Sequence, residues 1–318
     1  MKLKSLVLSA LLAVSLANAK MVVYFDSGGS AGDNYGTVIS NGAKAAAKDL
    51  DVELKVYFSD WDPNKMVENF RTYSATKPDG IVIMGHPGND LYKPLVEKAI
   101  KDGIYVTSVD TPLKEIEAAN SSKGFGYAGS DNYSAGLSMA NEALRFFDLK
   151  AGDQVMIWGL LSQPTRGDRA KAMIEVLEGA GLKVDYVEIS PEINKDPTLG
   201  QSVFSAHIAK NPNTKVAFID HGSLTAQMEQ IMKNANLDKD KLQIAGFSLS
   251  PATLSGIKSG YVDLVGDAQP WFQGYFSIVQ IYMAKNYGFS GFNINTGGGF
   301  VTKDNVDMIE PLIKDGIR

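Results

Sequence analysis

The stretch Asp26-Ser27-Gly28-Gly29-Ser30-Ala31-Gly32-Asp33-Asn34-Tyr35-Gly36 lies between the apolar run Met21–Phe25 and the helix-like run Thr37–Leu50. A β-rich run, a glycine-rich turn and a helical pattern in that order open a βαβ unit. The same rhythm continues downstream. Further strands are expected at Glu53–Phe58, Gly80–Met84, Ile104–Val109 and Gly126–Gly129. A second series is expected at Gln154–Leu160, Lys183–Ile189, Lys215–Ile219, Leu242–Phe247 and Val262–Val265. Between them, apolar residues recur at helical spacing, as in Met66, Phe70, Tyr73 and in Leu91, Leu95, Ala99. Asp62-Pro63 and Asp196-Pro197 place a capping carboxylate before a proline at the first helical position.

Strands alternating with helices imply parallel α/β sheets. Ten strands over about 250 residues fit two doubly wound lobes better than one sheet. No Pro/Gly/Ser-rich linker separates such lobes, so the crossings must be short. Ser130-Asp131, Ala268-Gln269 and Asn293 to Gly298 are the candidates. The expected division is 20–130 with 270–295 in the first lobe, and 131–268 with 296–318 in the second.

The first residues read as a secretory leader. Lys2 and Lys4 form a positive start, Leu6–Leu16 an apolar core, and Ala17-Asn18-Ala19 a small-residue cleavage site before Lys20. The apolar stretch is shorter than the roughly 20 residues that a membrane-spanning helix needs. Loss of Lys2 and Lys4 takes the formal charge of −5 to −7. An acidic exported chain offers no electrostatic basis for nucleic-acid binding. There is no cysteine, which excludes disulfides, thiolate chemistry and a lipid on cysteine. The expected location is the periplasm.

The glycine stretch does not read as a phosphate loop. It lacks the lysine of a P-loop, and Gly28, Gly29 and Gly32 miss the dinucleotide spacing. Asp26 and Asp33 would also repel a pyrophosphate. The histidines His86, His207 and His221 show no metal spacing, and no G-x-S-x-G elbow is present. Neither a cofactor nor a metal is expected. Ligands of open α/β sheets bind beyond the C-terminal strand ends. Those ends carry Asp26, Asp60-Trp61, His86, Asp110, Gln163 to Arg169, Glu192 to Asp196, Asp220-His221 and Phe247-Ser248.

Six segments resemble those of one known family. DNYGTVISNGAKAAAKDL (33–50) resembles the first helix of that family, and KPDGIVIMGHPGND (77–90) its third strand and loop. GIYVTSVDTP (103–112) resembles the fourth strand with its terminal Asp. YAGSDNYSAG (127–136) resembles the first crossover, PTRGDRAKAM (164–173) the arginine-bearing helix start, and AQPWFQGY (268–275) the hinge glutamine. The match covers essentially all of the mature chain, in order, and the family that the chain resembles is that of periplasmic sugar-binding proteins of ABC importers, of the ribose- and galactose-binding type.

The resemblance implies two lobes closing on a sugar or polyol, delivered to the membrane subunits of an ABC permease. Asp110 would accept two vicinal hydroxyls, Arg169 would donate to ring and hydroxyl oxygens, Gln269 would sit in the hinge, and Tyr35 would pack on a sugar face. His86 and His221 stand where asparagine is usual in the family. Asp26, Asn34, Asp168, Asp220 and Phe247 complete the expected contacts. Thr111 replaces an arginine and Ser248 an aspartate, which argues against ribose itself. TRGDR with Asp168 resembles the autoinducer-binding branch. Two other readings remain: a sensory binding protein that docks on a chemoreceptor, and an exported sugar-modifying enzyme using Asp26 and Asp110 as an acid–base pair.

Overall fold

The computed structural model describes residues 20–297 and 299–318; the leader expected at 1–19 lies outside the described residues. The strands are β1 (Val22–Asp26), β2 (Glu53–Tyr57), β3 (Gly80–Met84), β4 (Tyr105–Val109), β5 (Gly126–Gly129), β6 (Gln154–Gly159), β7 (Lys183–Glu188), β8 (Thr214–Ile219), β9 (Gln243–Phe247), β10 (Leu264–Gly266), β11 (Asn293–Asn295) and β12 (Phe300–Val301). The first-half helices are α1 (Asn34–Asp49), α2 (Pro63–Ser74), α3 (Gly88–Lys101), α4 (Lys114–Asn120), α5 (Asn132–Phe146) and α6 (Asp168–Gly179). Then come α7 (Pro191–Lys195), α8 (Gln201–Lys210), α9 (Gly222–Asn234), α10 (Pro251–Ser259), α11 (Pro270–Tyr287) and α12 (Val306–Lys314).

The strands form two sheets of one design. The first runs β11-β5-β4-β3-β1-β2 and the second β12-β10-β9-β8-β6-β7. All pairings are parallel except β10 with β12. The order reverses between β1 and β3 in one sheet and between β6 and β8 in the other, which opens a crevice at the C-terminal strand ends of each. The expected two doubly wound lobes are thus present. β3 (Gly-Ile-Val-Ile-Met) is buried along its whole length, as a central strand covered by helices on both faces must be. The chain passes to the second sheet after β5, back after β10, and across again after β11. Ile278 and Ile281 of α11 pack in the first core, and Val306 and Ile313 of α12 in the second.

Asp62 caps α2 ahead of Pro63, as the sequence indicates. Asp196-Pro197 opens only a 3₁₀ turn before α8. The helical phase of α3 also differs from the sequence reading. Tyr92, Val96 and Ala99 are buried while Leu91 is exposed. Two apolar stripes compete on that helix, and the one carrying the larger tyrosine faces the sheet.

α1 and α11 lie side by side, and glycine permits their separation. A Cβ at Gly42 would stand 1.8 Å from the Trp271 carbonyl oxygen, and one at Gly274 would stand 1.9 Å from that of Ile39. Each helix therefore needs the other's bare backbone. Gly274→Ala should force the pair apart and destabilise the protein by about 1–3 kcal/mol, as overpacking does. A lowered urea midpoint with an unchanged slope would show it.

Candidate functional site

The crevices of the two sheets face one another and form a cavity between the lobes. The first lobe contributes Asp33, Tyr35, Trp61, His86 and Asp110. The second contributes Leu160, Gln163, Arg166, Arg169, Asn194, His221, Gly222, Ser223 and Ser248, and Ala268 closes the hinge side. At the lip the lobes touch. Asn34 Nδ2 donates to the Leu249 carbonyl at 2.7 Å, and the Ser223 hydroxyl donates to Asp33 Oδ2 at 3.3 Å. Asp33 also caps α1 through the Gly36 N–H. The cleft is closed.

Asp110 ends β4 in the left-handed region at φ +60°. Its Oδ1 accepts from the Tyr35 hydroxyl at 2.7 Å, and its Oδ2 lies 3.1 Å from His86 Nε2 and 3.2 Å from the Thr111 hydroxyl. Burial pushes the carboxyl up, but the His86 and Tyr35 hydrogen bonds and the Arg166 charge outweigh it. They hold Asp110 well below the usual carboxylate range. In the second lobe Ser248 stands at the equivalent place, after β9 and at φ +69°. Its N–H bonds the carbonyl of Gly266 in the next strand, just as that of Asp110 bonds Ala128. His86 and His221 are equivalent in the same way, each two residues beyond its strand.

Asp220 has no exposed surface and binds two arginines. Arg166 Nη1 donates to Asp220 Oδ2 at 3.1 Å, and Arg166 Nη2 donates to its carbonyl at 2.7 Å. Arg169 Nε donates to Asp220 Oδ1. The Arg169 guanidinium lies 4.0 Å over the Phe247 ring, a favourable cation–aromatic stack. Its terminal nitrogens have no protein partner among the described residues and border the cavity. Burial and the Arg166 charge lower the His221 pKa to about 3. Its Nδ1 accepts from the Leu224 N–H at 3.2 Å. His221 is therefore neutral, with its proton on Nε2 as a donor.

Of the expected site residues, Tyr35, His86, Asp110, Arg169 and His221 line the cavity. Asp26 does not; it is buried behind the wall and bonds Gly28 and Ser59. Asn34 serves the lip contact. Asp168 begins α6 outside the lining. Asp220 and Phe247 lie beneath the arginines. Gln269 sits at φ +49° and donates to the Thr296 carbonyl at 3.1 Å, tying the second crossing to the third. The sequence reading passed over Trp61, Asn194 and Arg166 as contacts. Trp61 had a signal: a large aromatic at a strand end, between Asp60 and the capping Asp62. Asn194 had one too, since it lies in the strand-end segment Glu192 to Asp196, and it reaches the cavity through the turn after β7.

Residues 27–288 match a family model described as periplasmic binding protein domain. The chain belongs to the periplasmic binding protein family. A curated relative, the xylose/arabinose-binding protein XylF of Sulfolobus acidocaldarius, is 24% identical over 259 residues, 77% of this chain and 62% of that protein. The matched region thus spans under two thirds of that relative. Among solved structures, a carbohydrate transporter of Acidothermus cellulolyticus 11B in complex with myo-inositol superposes with a TM-score of 0.79 at 20% identity, over 94% of this chain and 100% of that one. A periplasmic sugar-binding protein of Legionella pneumophila gives 0.73 at 26% identity, over 88% and 100%.

In this periplasmic binding protein the arginine pair depends on Asp220. Asp220→Ala would leave two buried guanidinium groups uncompensated, and breaking such a pair costs about 3–5 kcal/mol. Chemical denaturation should show a loss of that size. A loss below about 1 kcal/mol would mean that the arginines find water or Asp110 instead.

Proposed function

We propose that this chain is an extracytoplasmic solute-binding protein that captures a neutral polyhydroxylated ligand, a sugar or polyol, and delivers it to an ABC-type permease. One observation carries this: a cavity whose two arginines face two carboxylates, so that its charges balance across the lobes. Asp220 pairs with Arg166 and Arg169, and Asp110, hydrogen-bonded by Tyr35 and beside His86, supplies the second negative charge across the cleft. An anionic ligand would need an uncompensated cation, and a cationic one an uncompensated carboxylate. A hydroxyl both donates and accepts, so it suits a lining that mixes Asp110 and Asp33 with Arg169, Gln163, Asn194 and His221. Trp61 and Tyr35 supply flat apolar faces for the C–H side of a sugar ring. The arabinose, xylose and inositol in the names of its relatives are of this class.

The acid–base pair that an enzyme would need is not assembled, because Asp26 and Asp110 do not face one cavity. Binding without turnover is therefore the reading adopted. A chemoreceptor or sensor kinase could receive the same closed form in place of a permease. Vesicles carrying a reconstituted permease would separate the two.

Calorimetry against D-xylose, D-arabinose, D-ribose, D-galactose and myo-inositol should give one saturable ligand. Chemical conversion of that ligand at enzymatic rates would overturn the reading. Asp110→Ala and Arg169→Ala should each weaken binding by roughly 10- to 150-fold, the equivalent of one charge-assisted hydrogen bond at about 1.5–3 kcal/mol. Small-angle scattering should show a smaller radius of gyration with ligand, because contacts from both lobes favour the closed state.

A further inference from the structure

Asp26 stands one layer behind the cavity, at the centre of a closed set of contacts. Its Oδ1 accepts the Gly28 N–H at 2.8 Å and lies 2.9 Å from the Ser59 hydroxyl, which also lies 2.9 Å from the Gly28 carbonyl. That carbonyl accepts the Trp61 N–H at 2.8 Å. The indole rests on Gly28. A Cβ there would lie 2.4 Å from its Cζ3 and 2.7 Å from its Cη2, and Gly28 itself is at φ +80°. Asp60 and Trp61 are both left-handed, at φ +53° and +56°. Two such residues in succession persist only where their surroundings over-determine them. Here the surroundings are the Gly28 turn below and, on Asp60, the Ser30 hydroxyl and Lys65, each at 2.6 Å.

We propose that Asp26 is the positioning residue for the Trp61 wall of the cavity, holding the indole through the Gly28 turn and the Ser59 hydroxyl, and that its protonation sets how firmly that wall is held. The inference rests on the reading of the cavity as the ligand site.

The second oxygen of Asp26 is buried without a protein hydrogen-bond partner, as are the hydroxyls of Tyr57 on β2 and Tyr92 on α3. Those tyrosines and Lys65 on α2 are the titratable groups that act on it. Burial pushes the carboxyl up to about 7, against the Gly28 and Ser59 hydrogen bonds. The anion grips the Gly28 N–H more strongly than the neutral acid does, so the hold on Trp61 tightens as pH rises through 7. The effect on stability has the opposite sign. The folded state keeps a proton that the unfolded chain loses near pH 4. Stability from this group is therefore full below pH 4 and is lost as pH rises towards and through 7. Trp61 also meets His86 edge-on at 5.5 Å, so a pH effect on Trp61 must be assigned by substitution.

The chain has three tryptophans, so 5-fluorotryptophan labelling gives three ¹⁹F resonances, with Trp61 identified from Trp61→Phe. The Trp61 resonance should titrate with a midpoint near pH 7 while those of Trp158 and Trp271 stay in place. Asp26→Asn, which keeps an acceptor oxygen but cannot ionise, should abolish that titration and leave the resonance sharp. It should also flatten the fall in melting temperature between pH 4 and 7 relative to the parent. Asp26→Ala should shift or broaden the Trp61 resonance, and should weaken D-xylose or myo-inositol binding about tenfold or more, against less than threefold for Asp26→Asn. Persistence of the titration in Asp26→Asn, or an unmoved Trp61 resonance in folded Asp26→Ala, would overturn the proposal. If Asp26→Ala does not fold, as the Trp158 resonance would report, the Asp26→Asn titration decides. If none of the sugars binds even the parent protein, the reading of the cavity fails, and the fluorine arm still decides the role of Asp26.

Discussion

The ion cluster of Asp220 with Arg166 and Arg169 is the interaction on which the second lobe's face of the cleft depends. A carboxylate with no exposed surface is tolerated because two guanidinium groups and a cation–aromatic stack surround it. In return it fixes both arginines. Arg166 is consumed, while Arg169 is held by Nε alone and keeps its terminal nitrogens towards the cavity. Burial and the two arginine charges, against the pull of Asp220, suppress protonation of His221 and make it a neutral donor. One buried charge thus fixes both arginines and, with Asp110 across the cleft, leaves the lining close to neutral.

The first lobe answers with the same scaffold and different chemistry. Asp110 and Ser248 end equivalent strands in the same left-handed conformation, and each donates its N–H to the next strand. The backbone device is shared; only the first lobe places a carboxylate on it. The charged acceptor therefore sits on one side of the cleft and the charged donors on the other. A molecule that hydrogen-bonds to both edges would bridge them, so that its binding and closure would be coupled.

The hinge is built from the polar residues of the crossings. Gln269 ties the second crossing to the third, Asp267 accepts the Gln269 N–H, and Arg318 bonds the same Asp267. At the opposite edge, Asn34 and Asp33 reach Leu249 and Ser223. The glycine-rich stretch 26–36 accordingly does three things. It caps α1, supports the Trp61 wall and carries the lip contact, while only Asp33 and Tyr35 from it line the cavity.

The sequence by itself determined the alternation of strands and helices, because period and turn chemistry are local. All ten expected strands exist, within a residue or two at their ends. It also placed Asp110, Arg169, Tyr35, His86 and His221 at strand ends and helix starts that face a crevice. It placed a short crossing at Asn293 to Gly298, where β11 lies, but it could not show the two-residue β12 or which strands either would join, because edge pairing with β5 and β10 creates them. Nor could it separate Asp26 and Asp220 from Asp110. All three are aspartates at strand ends, and spacing along the chain is the same for a carboxylate that lines the cavity and one that holds the residues that do. Depth decided between them. Asp26 and Asp220 lie one layer below the cavity surface, with neighbours brought from 33 to 54 residues away, and only the packing of the sheets fixes that depth.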